Sequence, residues 1–253
     1  MKRINVLLIT IFFLTIIFGG SNVQGAEDVL FQLSLLNALD KGIAEGEMTI
    51  KDLKQHGDFG LGTFNAIDGE LIGVDGNFYR MDVDGVAQPA DDSLKTPYAF
   101  TTFFEPDKRV SLDAIEDYKK LKQQLDSLLP TKNIFYAIKI KGTFKYIKTR
   151  SIAKHNRPYP NLKEMFKTQT LTEFRNVQCT FVGFRCPVYV EGINFPVHHF
   201  HFVTDDRKAG GHIYECHLEK GVVEIDYIPS FYLELPESKE FFKLEGLQYN
   251  SLQ

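Results

Sequence analysis

The stretch Val197-His198-His199-Phe200-His201-Phe202-Val203, continued by Thr204-Asp205-Asp206-Arg207-Lys208-Ala209-Gly210-Gly211-His212, decides how this chain is read. Aromatic and β-branched residues interleaved with histidines have strand composition, and the polar, Gly-rich run 204–211 has turn composition. A hairpin follows. Side chains on a strand alternate faces, so His199, His201 and Val203 share one face and His198, Phe200 and Phe202 the other. Pairing Val203 opposite His212 puts His212 on the His199/His201 face, diagonal to His201; a slip of one residue turns it away. Three imidazoles on one face form a metal-binding pattern. Imidazole suits zinc and its neighbours, and three protein ligands leave a coordination position open. The same residues also arise where histidines merely gather on a solvated hairpin. His198 and His217 are expected to face away.

Working outward, Val177–Val190, Ile193–Val203, His212–Leu218 and Val222–Ile228 read as strands, with Leu218–Gly221 turning between the last two. Ile134–Ile140 and Thr143–Lys148 read as strands around a Lys141-Gly142 turn. Asp68-Gly69, Asp75-Gly76 and Asp84-Gly85 are hairpin dipeptides between short alternating segments. The spacing of Leu30, Phe31, Leu33, Leu35, Leu36 and Leu39 predicts an amphipathic helix, and Asp113–Leu129 predicts another, stopped by Pro130. Thr49 with Asp52 three residues on resembles a capping box, and Asn161–Gln169 reads as a short helix. Helices mixed with antiparallel hairpins give an α+β fold rather than alternating βαβ units. Two intimately packed halves are expected, roughly 26–130 and 131–253, forming one catalytic domain over 26–253.

The chain has 253 residues, a net charge of −4 and no basic stripe, which argues against nucleic acid as a partner. Its 22 Phe and 11 Tyr favour sheet. Lys2-Arg3, the apolar run Ile4–Phe18 and the small residues before Gly25 read as a cleavable secretory signal over 1–25, so the mature protein is expected to be exported, periplasmic or extracellular. Cys179, Cys186 and Cys216 are odd in number, sit in apolar strand-like runs, and read as small buried hydrophobes more readily than as a disulfide.

Two further segments could carry chemistry. His56-Gly-Asp-Phe-Gly-Leu-Gly-Thr-Phe-Asn65 concentrates glycines around polar groups, as a binding loop or a tight strand-entry turn; it lacks the nucleotide fingerprints. Tyr146–Ser151 ends a strand with cationic residues, and Arg150 there could fork a substrate carboxylate or stand solvated at a strand end. Asp205–Lys208 reads as a solvated turn.

These motifs together resemble the bacterial α-acetolactate decarboxylase family from about residue 30 to about residue 240. The resemblance is carried by residues 56–65 with Asp68-Gly69-Glu70, by Lys95-Thr-Pro-Tyr-Ala99, Asn133–Ile138, Lys148-Thr-Arg-Ser151, Val182–Arg185 and the His199–His212 hairpin. It implies two packed mixed or antiparallel sheets with flanking helices and the metal between them. It implies a homodimer and a lyase that converts 2-acetolactate to acetoin and CO₂ with a metal, usually Zn²⁺, and no organic cofactor. His199, His201 and His212 match the family's ligands, Glu70 and Arg150 its site glutamate and arginine, and Thr63 a threonine lining the pocket. The family carries a further glutamate near its C-terminus; Glu245 is the nearest candidate here. Two other readings compete. One is a cupin-like oxygenase or metal hydrolase, although no Glu follows His201 until Glu215. The other is an exported metal- or small-molecule-binding protein that lacks turnover.

Overall fold

A computed structural model describes residues 28–245 and residue 247. The expected signal over 1–25 lies outside the described residues. The chain enters as a strand, β1 (Val29–Leu33), where the sequence pattern predicts a helix. The residues from Leu30 to Leu33 are all buried, because β1 lies between two neighbours with both faces covered. A strand buried on both faces is apolar throughout, so its periodicity cannot be told from that of a helix. Ser34 then takes a positive φ of 65°, and the helix is only the short α1 (Leu36–Asp40). A single-turn helix α2 (Ile50–Leu53) follows, with the Thr49–Asp52 capping box formed in both directions.

Strands β2 (Phe59–Thr63), β3 (Glu70–Val74), β4 (Asn77–Met81), β5 (Ala87–Pro89) and β6 (Ala99–Thr102) build the first sheet around β1. The turn between β3 and β4 is the predicted Asp75-Gly76 pair, with φ of 51° and 75° at the two residues, the double positive φ of a two-residue hairpin turn. Of residues 56–65, only Phe59–Thr63 are strand. Gly62 is required there, since a Cβ would lie 2.6 Å from the Tyr98 carbonyl oxygen; glycine lets β2 and β6 close up.

The second sheet contains β7 (Lys108–Ile115), β8 (Phe135–Ser151), β9 (Thr170–Cys186), β10 (Val197–Thr204) and β11 (Gly210–Ile228). Two expected turns are not turns. Lys141-Gly142 and Leu218–Gly221 lie inside strands of 17 and 19 residues, and Gly142 pairs with Gly221 across them. Register shifts after Ile213, His217 and Leu218 mark bulges. Glycines and bulges bend long strands as well as reverse short ones. The sheet therefore curls, in the order β10-β9-β8-β11-β7, with β10 also pairing with β11. The predicted helix at Asp113–Leu129 begins later, as α3 (Tyr118–Leu128), because residues 113–115 pair in β7; Asp117 caps it. Pro187 closes β9, and residues 188–190 form a 3₁₀ turn instead of extending the strand.

Helix α4 (Leu162–Met165) lies in the segment joining β8 to β9. Strand β12 (Ser230–Glu234) returns to the first sheet, parallel to β1, and the short α5 (Lys239–Phe242) ends the described chain. The first sheet then runs β12-β1-β6-β2-β3-β4-β5. Among the described residues no helix is long and apolar enough to cross a membrane.

Two cores result. One, including Phe59, Leu61, Ile72, Phe100, Val182 and Phe184, fills the space between the sheets. The other, including Phe144, Phe181, Phe200, Phe202, Leu121 and Leu125, fills the curl of the second sheet beneath α3. Strand β10 separates them, and strand alternation gives its two faces different tasks.

Candidate metal centre and its cavity

His199 and His201 leave β10 toward the first sheet, while Phe200 and Phe202 enter the second core. The β10–β11 register pairs His201 with His212 and Val203 with Gly210. His212 is therefore directly opposite His201, not diagonal to it. The pairing is shifted by two residues from the expected one, and a shift of two keeps every side chain on its face. The tighter turn is held by the Thr204 hydroxyl, which donates to Asp206 and accepts from the Ala209 and Lys208 amides.

His199 Nε2 lies 3.1 Å from His201 Nε2 and 3.0 Å from His212 Nδ1. Zn–N bonds of about 2.0–2.1 Å in a tetrahedral site place donor atoms about 3.3 Å apart; the two spacings from His199 are close to that, and all three donor atoms lie within 4.8 Å of one another. His201 Nδ1 is 3.2 Å from the Leu71 carbonyl oxygen. Donation there leaves the Nε2 lone pair facing the other two rings, the arrangement that orients a metal-binding imidazole. Burial, reinforced by the charge of Arg150, holds His201 down at about 3 and lowers His212 as well; burial and then His201 lower His199. Neutral imidazole is the form that binds metal. The three residues could hold a metal ion, and the donor set fits one of the zinc type.

The other expected site residues stand around the same cavity. Thr63 and Glu70 face each other across the β2–β3 hairpin, and Arg150 of β8 pairs with His212. All three, with the histidines, line a small cavity of about 50 Å³. Glu70 Oε2 is 3.4 Å from His201 Nε2. Burial pushes the Glu70 carboxyl up to about 7, against the opposing pull of Arg150. The Thr63 hydroxyl donates to the Gly69 carbonyl at 2.7 Å, tying the turn that presents Glu70. Arg150 carries its guanidinium 4.3 Å over the Phe166 ring.

Other groups lie elsewhere. His198 turns away and meets Asp126 at 2.9 Å. His56 stacks on Phe31, and His217 packs near Tyr146. Glu245 is exposed and is not among the cavity residues. Cys179, Cys186 and Cys216 are all free and buried. The sequence reading assigned no role to Leu39, Ile67, Ile152, Leu162, Phe166 or Phe195, which form the cavity's apolar walls. They come from separated segments, and no local pattern marks them.

The α-acetolactate decarboxylase family model matches residues 30–246. A Methanosarcina mazei α-acetolactate decarboxylase is 43% identical over 222 residues, covering 88% of this chain and 77% of its own. The Brevibacillus brevis enzyme of that name is 43% identical over 227 residues, covering 90% and 80%. The crystal structure of α-acetolactate decarboxylase from Bacillus subtilis strain 168 superposes with a TM-score of 0.85 at 38% identity, covering 88% of this chain and 94% of that one.

Proposed function

Because the chain belongs to the α-acetolactate decarboxylase family, we propose that its cavity is where 2-acetolactate is converted to acetoin and CO₂. The observation that carries this assignment to particular residues is the convergence of the three imidazole nitrogens beside Glu70 and Arg150 in one small cavity. The family match over most of the chain favours this reading over the oxygenase, hydrolase and non-catalytic alternatives.

Loss of CO₂ from a 3-oxo acid leaves an electron pair that flows into the neighbouring carbonyl, forming an enediolate. A divalent metal ion held by His199, His201 and His212, taken here as zinc, supplies Lewis-acid stabilisation of that charge when bound. The Arg150 side chain makes no hydrogen bond or ion pair with any described residue, so its guanidinium N–H donors are free for the substrate's carboxylate. A forked contact to the carboxylate would orient the breaking bond. Glu70 stands where it can hold a bound water or give a proton to the enediolate carbon. Thr63 holds the turn that aims Glu70. The apolar walls exclude water and surround the substrate's methyl groups.

The sequence of residues 1–25 supports export, and the family resemblance supports a homodimer; light scattering and N-terminal sequencing of secreted protein test these. The His199→Ala protein is expected to lose most bound metal and to form acetoin at least 10²-fold more slowly. Full activity without metal would remove the basis for the assignment.

A further inference from the structure

The segment from Ile152 to Thr168, between β8 and β9, crosses the edge of the cavity and is pinned at several points. The His155 amide donates to the Ala66 carbonyl at 2.9 Å, and the Leu162 amide donates to Asp40 at 3.0 Å. Arg157 and Tyr159 both bond Glu45. Asn161 caps α4, and Met165 is buried beneath it. Phe166 follows at once, so its ring is presented from an anchored strap.

That ring lies 4.3 Å from the centre of the Arg150 guanidinium. Among the described residues this side chain has no hydrogen-bond partner and no carboxylate within ion-pair distance; Glu70 attracts it only from farther off, and Phe166 is the group in contact with its face. A cation over an aromatic face is held without using its N–H donors, which lie in the guanidinium plane. An arginine fixed by a carboxylate would spend those donors on its partner. Phe166 thus holds the arginine while leaving its whole fork available.

We propose that Phe166 is a positioning residue: its ring holds the Arg150 guanidinium at the cavity so that the donors meet the substrate carboxylate. This rests on the decarboxylase reading above. The alternative role, an apolar wall that only fills space, predicts a different dependence on Arg150.

The test compares wild type, Phe166→Leu, Phe166→Tyr, Arg150→Gln and Phe166→Leu/Arg150→Gln in the purified full-length protein. Acetoin formation is measured, and calorimetry follows binding of the diol acid made by reducing the substrate's ketone, which cannot decarboxylate. Phe166→Leu is expected to lower kcat/KM about 5- to 30-fold, mostly through KM, and to weaken diol binding by a similar factor. Phe166→Tyr keeps a π face and should stay within about threefold of wild type. In the Arg150→Gln background the leucine change should cost nothing further. Phe166→Met replaces the leucine variant if that protein does not fold. The proposal is overturned if Phe166→Leu equals wild type, if its loss is undiminished without Arg150, or if Phe166→Tyr falls as far as Phe166→Leu. A wild-type protein that releases no acetoin would instead overturn the decarboxylase reading.

Discussion

Replacing Asp226 by Asn should change how stability depends on pH while leaving the cavity untouched. Asp226 lies in β11 with no exposed surface. One carboxyl oxygen accepts from the Glu105 amide at 3.3 Å, and the other has no partner. Burial raises the carboxyl to about 7 from 3.8; the hydrogen bond from the Glu105 amide opposes this, and the charges of Asp28, Asp107 and Glu105 add to it. Between those two values the folded chain holds a proton that the unfolded chain has released. Stability therefore falls as pH rises from about 4 to about 7, and stays at the lower level above it. A shift of about three pH units corresponds to at most about 4 kcal/mol. Relaxation of the surrounding groups around the buried charge roughly halves this, to about 2 kcal/mol. Asn has the same shape and no charge to bury. At pH 8 the variant should melt about 5 °C above wild type, on the scale expected for a domain of this size. The gain should shrink to nothing near pH 4, where wild type is itself protonated. Calorimetric melts of both proteins across this range measure the difference, with acetoin formation as a control that should not change. A gain independent of pH, or a variant that loses ground as pH rises, would refute the reasoning.

Three further outcomes are expected. Glu70→Gln should keep its metal, measured by elemental analysis, and lose about 10²–10⁴-fold in kcat if the carboxyl transfers a proton; a loss below tenfold would reassign that step. Thr63→Val removes the hydroxyl that ties the Gly69 carbonyl; it should cost about 1 kcal/mol in denaturant melts and lower kcat through misplacement of Glu70, and unchanged kinetics would detach Thr63 from the reaction. Asp126→Ala leaves the buried Arg185 guanidinium and His198 without their carboxylate; a destabilisation of about 3 kcal/mol is expected, with acetoin formation per folded molecule retained, and a loss under about 1 kcal/mol would show that the pair is idle.

The alternation of His199 and His201 with Phe200 and Phe202 was sufficient, without any structure, to separate ligand face from core face, because strand periodicity is a local property. The two-residue error in the hairpin register was harmless for the same reason. The Asp75-Gly76 turn and the Thr49–Asp52 cap were equally local and equally legible. Where one stretch of sequence is compatible with two states, only the tertiary structure chose. Leu30–Leu33 became a strand because neighbours covered both its faces. Gly142 and Gly221 became a bend because long strands continued through them. Glu70 and Arg150 sit on different sheets, and their approach to the histidines depends on how those sheets pack. Residue matching could name them, but no spacing along the chain encodes that approach. The placement of Phe166 over Arg150 was the least visible of all, since it requires the strap from Ile152 to Thr168 to be anchored by contacts distant in sequence. Periodicity and turn chemistry act over a few residues and are written in the chain; the electrostatics of the cavity arise from groups brought together by packing, and only the folded molecule contains them.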